Sequence, residues 1–172
     1  MSERPGADAP GPDLVAWVQE QWRRERPDLD VAPIGIIGRL HRLAGRLDEE
    51  LLLVYGRYDL GEGEFDVLAT LRRNGPPYEL VAGEIARYTI VTSGAVTKRV
   101  DRLEAAGLVT RRPSAADGRS RVVALTDAGL RVIDAAFTAH IRNEHRLLDV
   151  LDADERAQLE ALLTRWLAAF DG

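Results

Sequence analysis

Apolar residues recur at three- and four-residue steps along most of this chain, the spacing of helices that bury one face. Leu14, Val18 and Trp22 fall at i, i+4 and i+8, which predicts a helix from Asp13 through QWRRE. The stretch RPDLDVAP interrupts it, because two prolines disfavour helix around them. A long helix is then predicted over residues 34–58, where Ile37, Leu40, Leu43, Leu47, Leu51, Val54 and Tyr58 repeat. At the usual rise per residue it spans about 37 Å. In LGEGEFDVLATLRRNG, Phe65, Leu68, Ala69 and Leu71 mark another helix, closed by Gly75-Pro76-Pro77. Two short helices follow, over 81–88 and 92–106, joined through IVTSG, an arrangement that defines a helix-turn-helix candidate.

After residue 107 the pattern changes. Residues 108–112 and 121–125 are rich in β-formers, and PSAADGRS between them carries turn residues, so a hairpin with a basic tip is predicted. Thr126-Asp127 then opens a helix reaching about Val150, and Asp152 with Glu155 forms the capping box of a last helix through Phe170. Both carry apolar stripes: Leu130, Ile133, Phe137 and Ile141 on the first, Leu159, Leu162, Leu163 and Trp166 on the second. The predicted fold class is mainly α with a small β-hairpin wing: a winged helix-turn-helix with a helical dimerisation region. The expected organisation is a disordered tail over 1–12 and an extension helix plus long scaffold helix over 13–60. A DNA-binding lobe follows over 61–126, and C-terminal dimerisation helices over 127–172.

Composition narrows the chemistry. The chain has no cysteine, so disulfides and thiol chemistry are out. It begins with no basic segment leading into an apolar run, and nowhere do eighteen apolar residues run together, so a cytoplasmic protein with no membrane partner is expected. The net charge is −5, yet between residues 87 and 121 eight basic residues outnumber three acidic ones. That segment is +5 and the remainder −10, so one basic stretch sits on an acidic body. No Ser/His/Asp elbow or complete glycine-rich phosphate loop occurs, and GEGEF opens a helix without a preceding strand, so no catalytic residue is assigned. His140 and His145, five apart, share a helical face poorly, and no metal site is assigned either.

The basic helix TSGAVTKRVDRLEAAG divides by face. With Val96 pointing to the core, Val100 and Leu103 point the same way, whereas Gly94, Thr97, Lys98 and Arg102 point outward. Ser93 and Gly94 are small enough to let backbone amides approach phosphate, and Lys98 and Arg102 have the reach for phosphates or base edges. At the wing, Arg119 suits a minor groove, and Arg121 adds to the basic surface. Arg99 falls on the inner flank of the helix, where a guanidinium needs a partner. Asp66, in EFDVL, is the candidate. Two readings remain open for these two residues: a structural ion pair, or the lining of a ligand pocket.

The segment SGAVTKRVDRLEAAGLVTRRPSAADGRSRVVALTDAG resembles the MarR family of winged-helix transcription regulators, and the resemblance extends over residues 34–170. It implies a homodimer formed by the terminal helices, binding a two-fold-related double-stranded DNA operator. The additional helix DLVAWVQEQWRRE looks like that of the family's urate-responsive branch. That resemblance implies an effector pocket of Trp22, Asp66, Arg99 and Arg111, taken from QWRRE, EFDVL, TKRV and VTRRP; Trp17 nearby is expected to be a packing residue. A small anionic effector, urate foremost, with no other cofactor, would then release a repressor from its operator. The alternatives are another effector (a tricarboxylate, a phenolic acid or zinc), or a constitutive DNA-binding protein with a structural Asp66–Arg99 pair.

Overall fold

The computed structural model describes residues 13–88, 96–114 and 120–170. The chain divides into two compact units between Glu49 and Glu50. In the first, helix α1 (Leu14–Glu25) starts where the Asp13 carboxylate accepts a hydrogen bond from the Val15 amide, as an N-cap should. The same carboxylate pairs with Arg39. Helix α2 (Ala32–Gly56) begins two residues earlier than the periodicity predicts. Pro33 does not oppose this, because a first-turn residue has no intrahelical partner for the missing N–H. The approach of α1 to α2 uses glycine at two points. A methyl group at Gly38 would lie 3.1 Å from Val15 Cγ1, and one at Gly35 3.0 Å from Gln19 Nε2. Gln19 is buried and donates to the carbonyl of Val31 at 3.1 Å, which ties the inter-helix loop down. Trp17, expected as a packing residue, is instead 41% exposed.

The second unit is organised around helix α3 (Glu62–Arg73), which is buried along almost its whole length, from Gly63 to Leu71. Val67, Leu68 and Leu71 are fully enclosed, and Phe65 stacks on Tyr55 from the end of α2 with ring centroids 4.2 Å apart. Burial pushes the Tyr55 phenol up to about 12. Its hydroxyl lies 3.2 Å from His140 Nδ1, and His140 Nε2 lies 3.1 Å from Glu144. Helices α4 (Ala82–Tyr88) and α5 (Val96–Ala105) pack on α3 through Ile85, Val96, Val100 and Leu103. Gly107, with φ +71, ends α5, and the Leu108 amide turns back to the Leu103 carbonyl at 2.9 Å. Strand β2 (Val109–Pro113) leads out from that turn and β3 (Arg121–Leu125) returns.

The wing is a three-stranded antiparallel sheet rather than an isolated hairpin, with β1 (Glu79–Val81) on the far side of β3, so that the order is β1-β3-β2. Leu80 pairs with Val123, and Arg111 with the same Val123 from the other side. Helix α6 (Asp127–Leu148) and helix α7 (Ala153–Ala168) complete the unit, and α7 opens with the capping box of Asp152 and Glu155. Helix α7 buries none of its residues, and Leu162, Leu163, Trp166, Leu167 and Phe170 stand exposed alongside Phe137 and Ile141 of α6.

The junction of wing and α6 is tight. The Thr126 hydroxyl accepts from the Gly129 amide at 3.0 Å and donates to the Gly107 carbonyl at 2.8 Å. A methyl group at Gly129 would lie 2.0 Å from the Leu108 carbonyl oxygen, a backbone atom with no freedom to move aside. Thr126→Ala is therefore expected to cost about 1–2 kcal/mol, as loss of an N-cap does, and Gly129→Ala to cost more. Urea denaturation followed by circular dichroism measures both, and a Gly129→Ala protein as stable as the parent would refute this packing.

Candidate nucleic-acid interface and effector site

Helix α5 presents three different surfaces. Val96, Val100 and Leu103 are 4%, 3% and 1% exposed and dock it on the core, while Thr97, Lys98 and Arg102 face outward. Arg99 lies between these faces and is half-buried. Burying three such side chains contributes about 1.5–3 kcal/mol each, against about 0–1 for an exposed ion pair. Packing therefore fixes where the helix sits, and ionic contacts decide only where its side chains point. Ser93, Gly94 and Arg119 lie outside the described residues; Arg121 is exposed at the start of β3.

Three arginines around α5 are placed in ways its helical pattern does not reveal. Arg102 is 72% exposed, yet its Nη1 donates to Glu64 Oε1 at 2.9 Å, and that carboxylate is 12% exposed in the first turn of α3. Arg102 is thus not the open cation that its outward position predicts. Arg111, on β2, is held from two sides. Its Nη1 meets Asp101 at 2.7 Å, and its Nε donates to Glu104 at 2.9 Å. This fork ties the wing to the recognition helix, and the guanidinium holds the Glu104 carboxyl below the usual carboxylate range. Arg111 also lines a cleft of about 350 Å³ between α4, α5 and the sheet, whose walls include Ala86, Thr97, Val100 and Arg121.

Arg99 is the third. Its guanidinium lies over Gly63: a methyl group there would be 2.0 Å from Nε and 2.3 Å from Cζ. Asp66, one turn further along α3, is 9% exposed and has an interaction of its own. Among the ion pairs of the described residues none joins Asp66 to Arg99; the absent side chain at Gly63 leaves room for the guanidinium there. Among the described residues, three side-chain atoms are buried with no hydrogen-bond partner: Arg99 Nη1, Thr70 Oγ1 and Asn143 Nδ2. Only the first belongs to a charged group. Trp22 lies on α1, in the other compact unit, and is 48% exposed. For zinc there is no support in the described residues, where no three His, Cys, Asp or Glu side chains come together as a metal site.

The fold and the recognition helix define a winged helix-turn-helix protein. A profile of the MarR family matches residues 58–120. The chain is 41% identical over 151 residues to the HTH-type transcriptional regulator PecS of Dickeya dadantii, covering 88% of this chain and 91% of that one. It is 31% identical over 133 residues to the multiple antibiotic resistance protein MarR of Escherichia coli, covering 76% and 90%. The solved structure of a mutant E. coli MarR complexed with operator DNA superposes with a TM-score of 0.68 at 28% identity, covering 80% of this chain and 95% of that one. The chain belongs to the MarR family. It is a DNA-binding transcriptional regulator, not an enzyme.

Two outcomes test the geometry of the site. Gly63→Ala is expected to evict the Arg99 guanidinium while stability stays within about 1 kcal/mol, because alanine favours helix over glycine and only a flexible side-chain end must move. Modification by phenylglyoxal, read by mass spectrometry, should become faster at Arg99 in the variant; an unchanged rate would show that Gly63 is not its seat. For the Arg111 fork, the lowered Glu104 carboxyl stays ionised below the usual carboxylate range and is lost only as pH falls through that lowered value. Hydrogen exchange at β2 and β3 is accordingly expected to stay slow through mild acid in the parent. Arg111→Ala should raise it already at neutral pH, and equal exchange in both proteins would rule out the fork as the tie.

Proposed function

We propose that this regulator is a homodimeric repressor released from a pseudo-palindromic operator by a small anion, with urate the favoured effector. The observation that carries the reading is the buried Arg99 Nη1, a charged donor without an acceptor on the inner side of the recognition helix. Leaving such a group unsatisfied costs on the order of 1–3 kcal/mol or more, and an anionic ligand accepting from it recovers that cost. A ligand that accepts from Nη1 satisfies a donor that is otherwise buried without a partner. Binding there pulls on a side chain of the helix that carries Thr97 and Lys98, which links effector and DNA through one element. Asp66 and Arg111 complete the proposed effector residues.

The DNA-facing set is Ser93, Gly94, Thr97, Lys98, Arg102, Arg119 and Arg121, with α5 in a major groove and the wing against the neighbouring minor groove. The apolar side chains left exposed on α6 and α7 support a dimer, since a row of that size is seldom left to water. A cytoplasmic location follows from work on chromosomal DNA.

The test is an electrophoretic mobility shift on the intergenic DNA upstream of the protein's own gene, with urate, citrate and a phenolic acid titrated in. The expected result is a shifted complex dissolved by an anion, and Arg99→Ala should keep the shift within a fewfold while losing the anion response. No shift on that DNA at moderate salt would sink the operator reading. A complex that Arg99→Ala releases as readily as the parent does would remove Arg99 from the effector site.

A further inference from the structure

The cations around the recognition helix are not equally free. Arg102 is paired with Glu64, and Arg111 with Asp101 and Glu104. Lys98 and Arg121 are exposed and make no ion pair among the described residues. The pairing of Arg111 has a structural purpose, since it joins two elements of the wing. That of Arg102 joins α5 to α3, which three enclosed apolar side chains already hold together. A bond that adds little to docking but occupies an exposed arginine of the DNA face needs another explanation.

Glu64 is well placed to hold that arginine. It is the third residue of α3, and its carboxylate folds back against Gly61, where a methyl group would lie 2.5 Å from Oε2. The positive end of the helix dipole favours an acidic side chain in this first turn, and the contact with Gly61 fixes its position. As an ion pair, Arg102 brings no net charge to the duplex, and sequence-independent affinity grows with each phosphate that a free cation neutralises. We propose that Glu64 is a specificity-determining residue of the DNA-binding surface. By holding and neutralising Arg102 it suppresses phosphate binding to random sequence, leaving discrimination to the base-facing contacts of Thr97 and Lys98. The inference rests on the reading that the outer face of α5 meets DNA.

The test measures binding of the full chain to two duplexes, its own upstream intergenic fragment and a random sequence of equal length, across a salt series. Glu64→Gln keeps the size and polarity of the side chain and removes its charge. One additional phosphate contact per protomer is expected to steepen the slope of log K against log salt by about 1.8 for a dimer. Random DNA should be bound more tightly and the ratio of specific to random affinity should fall. In an Arg102→Ala background, Glu64→Gln should change neither slope nor ratio, an outcome that a merely structural Glu64 would not produce. Thermal melts of each variant confirm that the folded protein is compared. If Arg102→Ala weakens DNA binding but Glu64→Gln leaves slope and ratio untouched, the restraining role of Glu64 is wrong and the DNA face stands. If Glu64→Gln steepens the slope as much with Arg102→Ala as without it, the added contact is not made by Arg102 and both readings of it fall.

Discussion

Everything at the DNA-reading end of this protein depends on the burial of α3. A twelve-residue helix enclosed from its first turn to its last cannot shift without disturbing α4, α5, the sheet and α6 together. Its enclosure uses side chains of very different kinds: aliphatic residues through the middle, Phe65 against Tyr55, and a first turn where Gly63 and Glu64 are buried beside α5. That first turn is where the recognition helix is addressed. Arg99 rests on the glycine and Arg102 bonds the glutamate. The same short stretch, GEGEF, therefore receives two cations of α5.

The two arginines are treated in opposite ways, and this difference gives the site its chemistry. Arg102 has a fixed anion and is exposed, so its charge is spoken for although it is accessible. Arg99 is half-buried with no hydrogen-bonded partner for Nη1, so its charge is available although access to it is restricted. In the proposed effector reading, a mobile anion gains more at the second than at the first. Helix geometry alone places the two Cβ directions about 60° apart around the axis, yet the guanidiniums end in different surroundings.

Much of the architecture was legible in the residues. The division of α5 into a docking face of Val96, Val100 and Leu103 and an outer face of Thr97 and Lys98 followed from the helical period, and so did the caps at Thr126 and Asp152. What escaped did so for identifiable reasons. Strand β1 is three residues long, too short for alternation to register, and it exists because β3 offers an edge. Arg102 points outward at its Cβ, but its long side chain reaches back to Glu64, and periodicity speaks only of the first bonds of a side chain. The seat of Arg99 is made by the absence of a side chain at Gly63, and an absence carries no hydrophobic or charge signal. Charge complementarity points to Asp66 as the partner of Arg99, and the guanidinium lies over the glycine one turn earlier.

A guanidinium held by an opposed carboxylate has to be pulled away before it can serve a ligand, and the ligand must exceed that attraction. The Arg99 guanidinium lies over Gly63, and its Nη1 is buried with no hydrogen-bond partner among the described residues. Its restraint is the shape of the seat, and the penalty of its unsatisfied Nη1 already raises the energy of the ligand-free state. For the proposed anionic effector, Nη1 is a donor already desolvated and in place. The cost is carried by the folded protein, where the enclosed α3 and the apolar docking of α5 supply more than enough packing to sustain it.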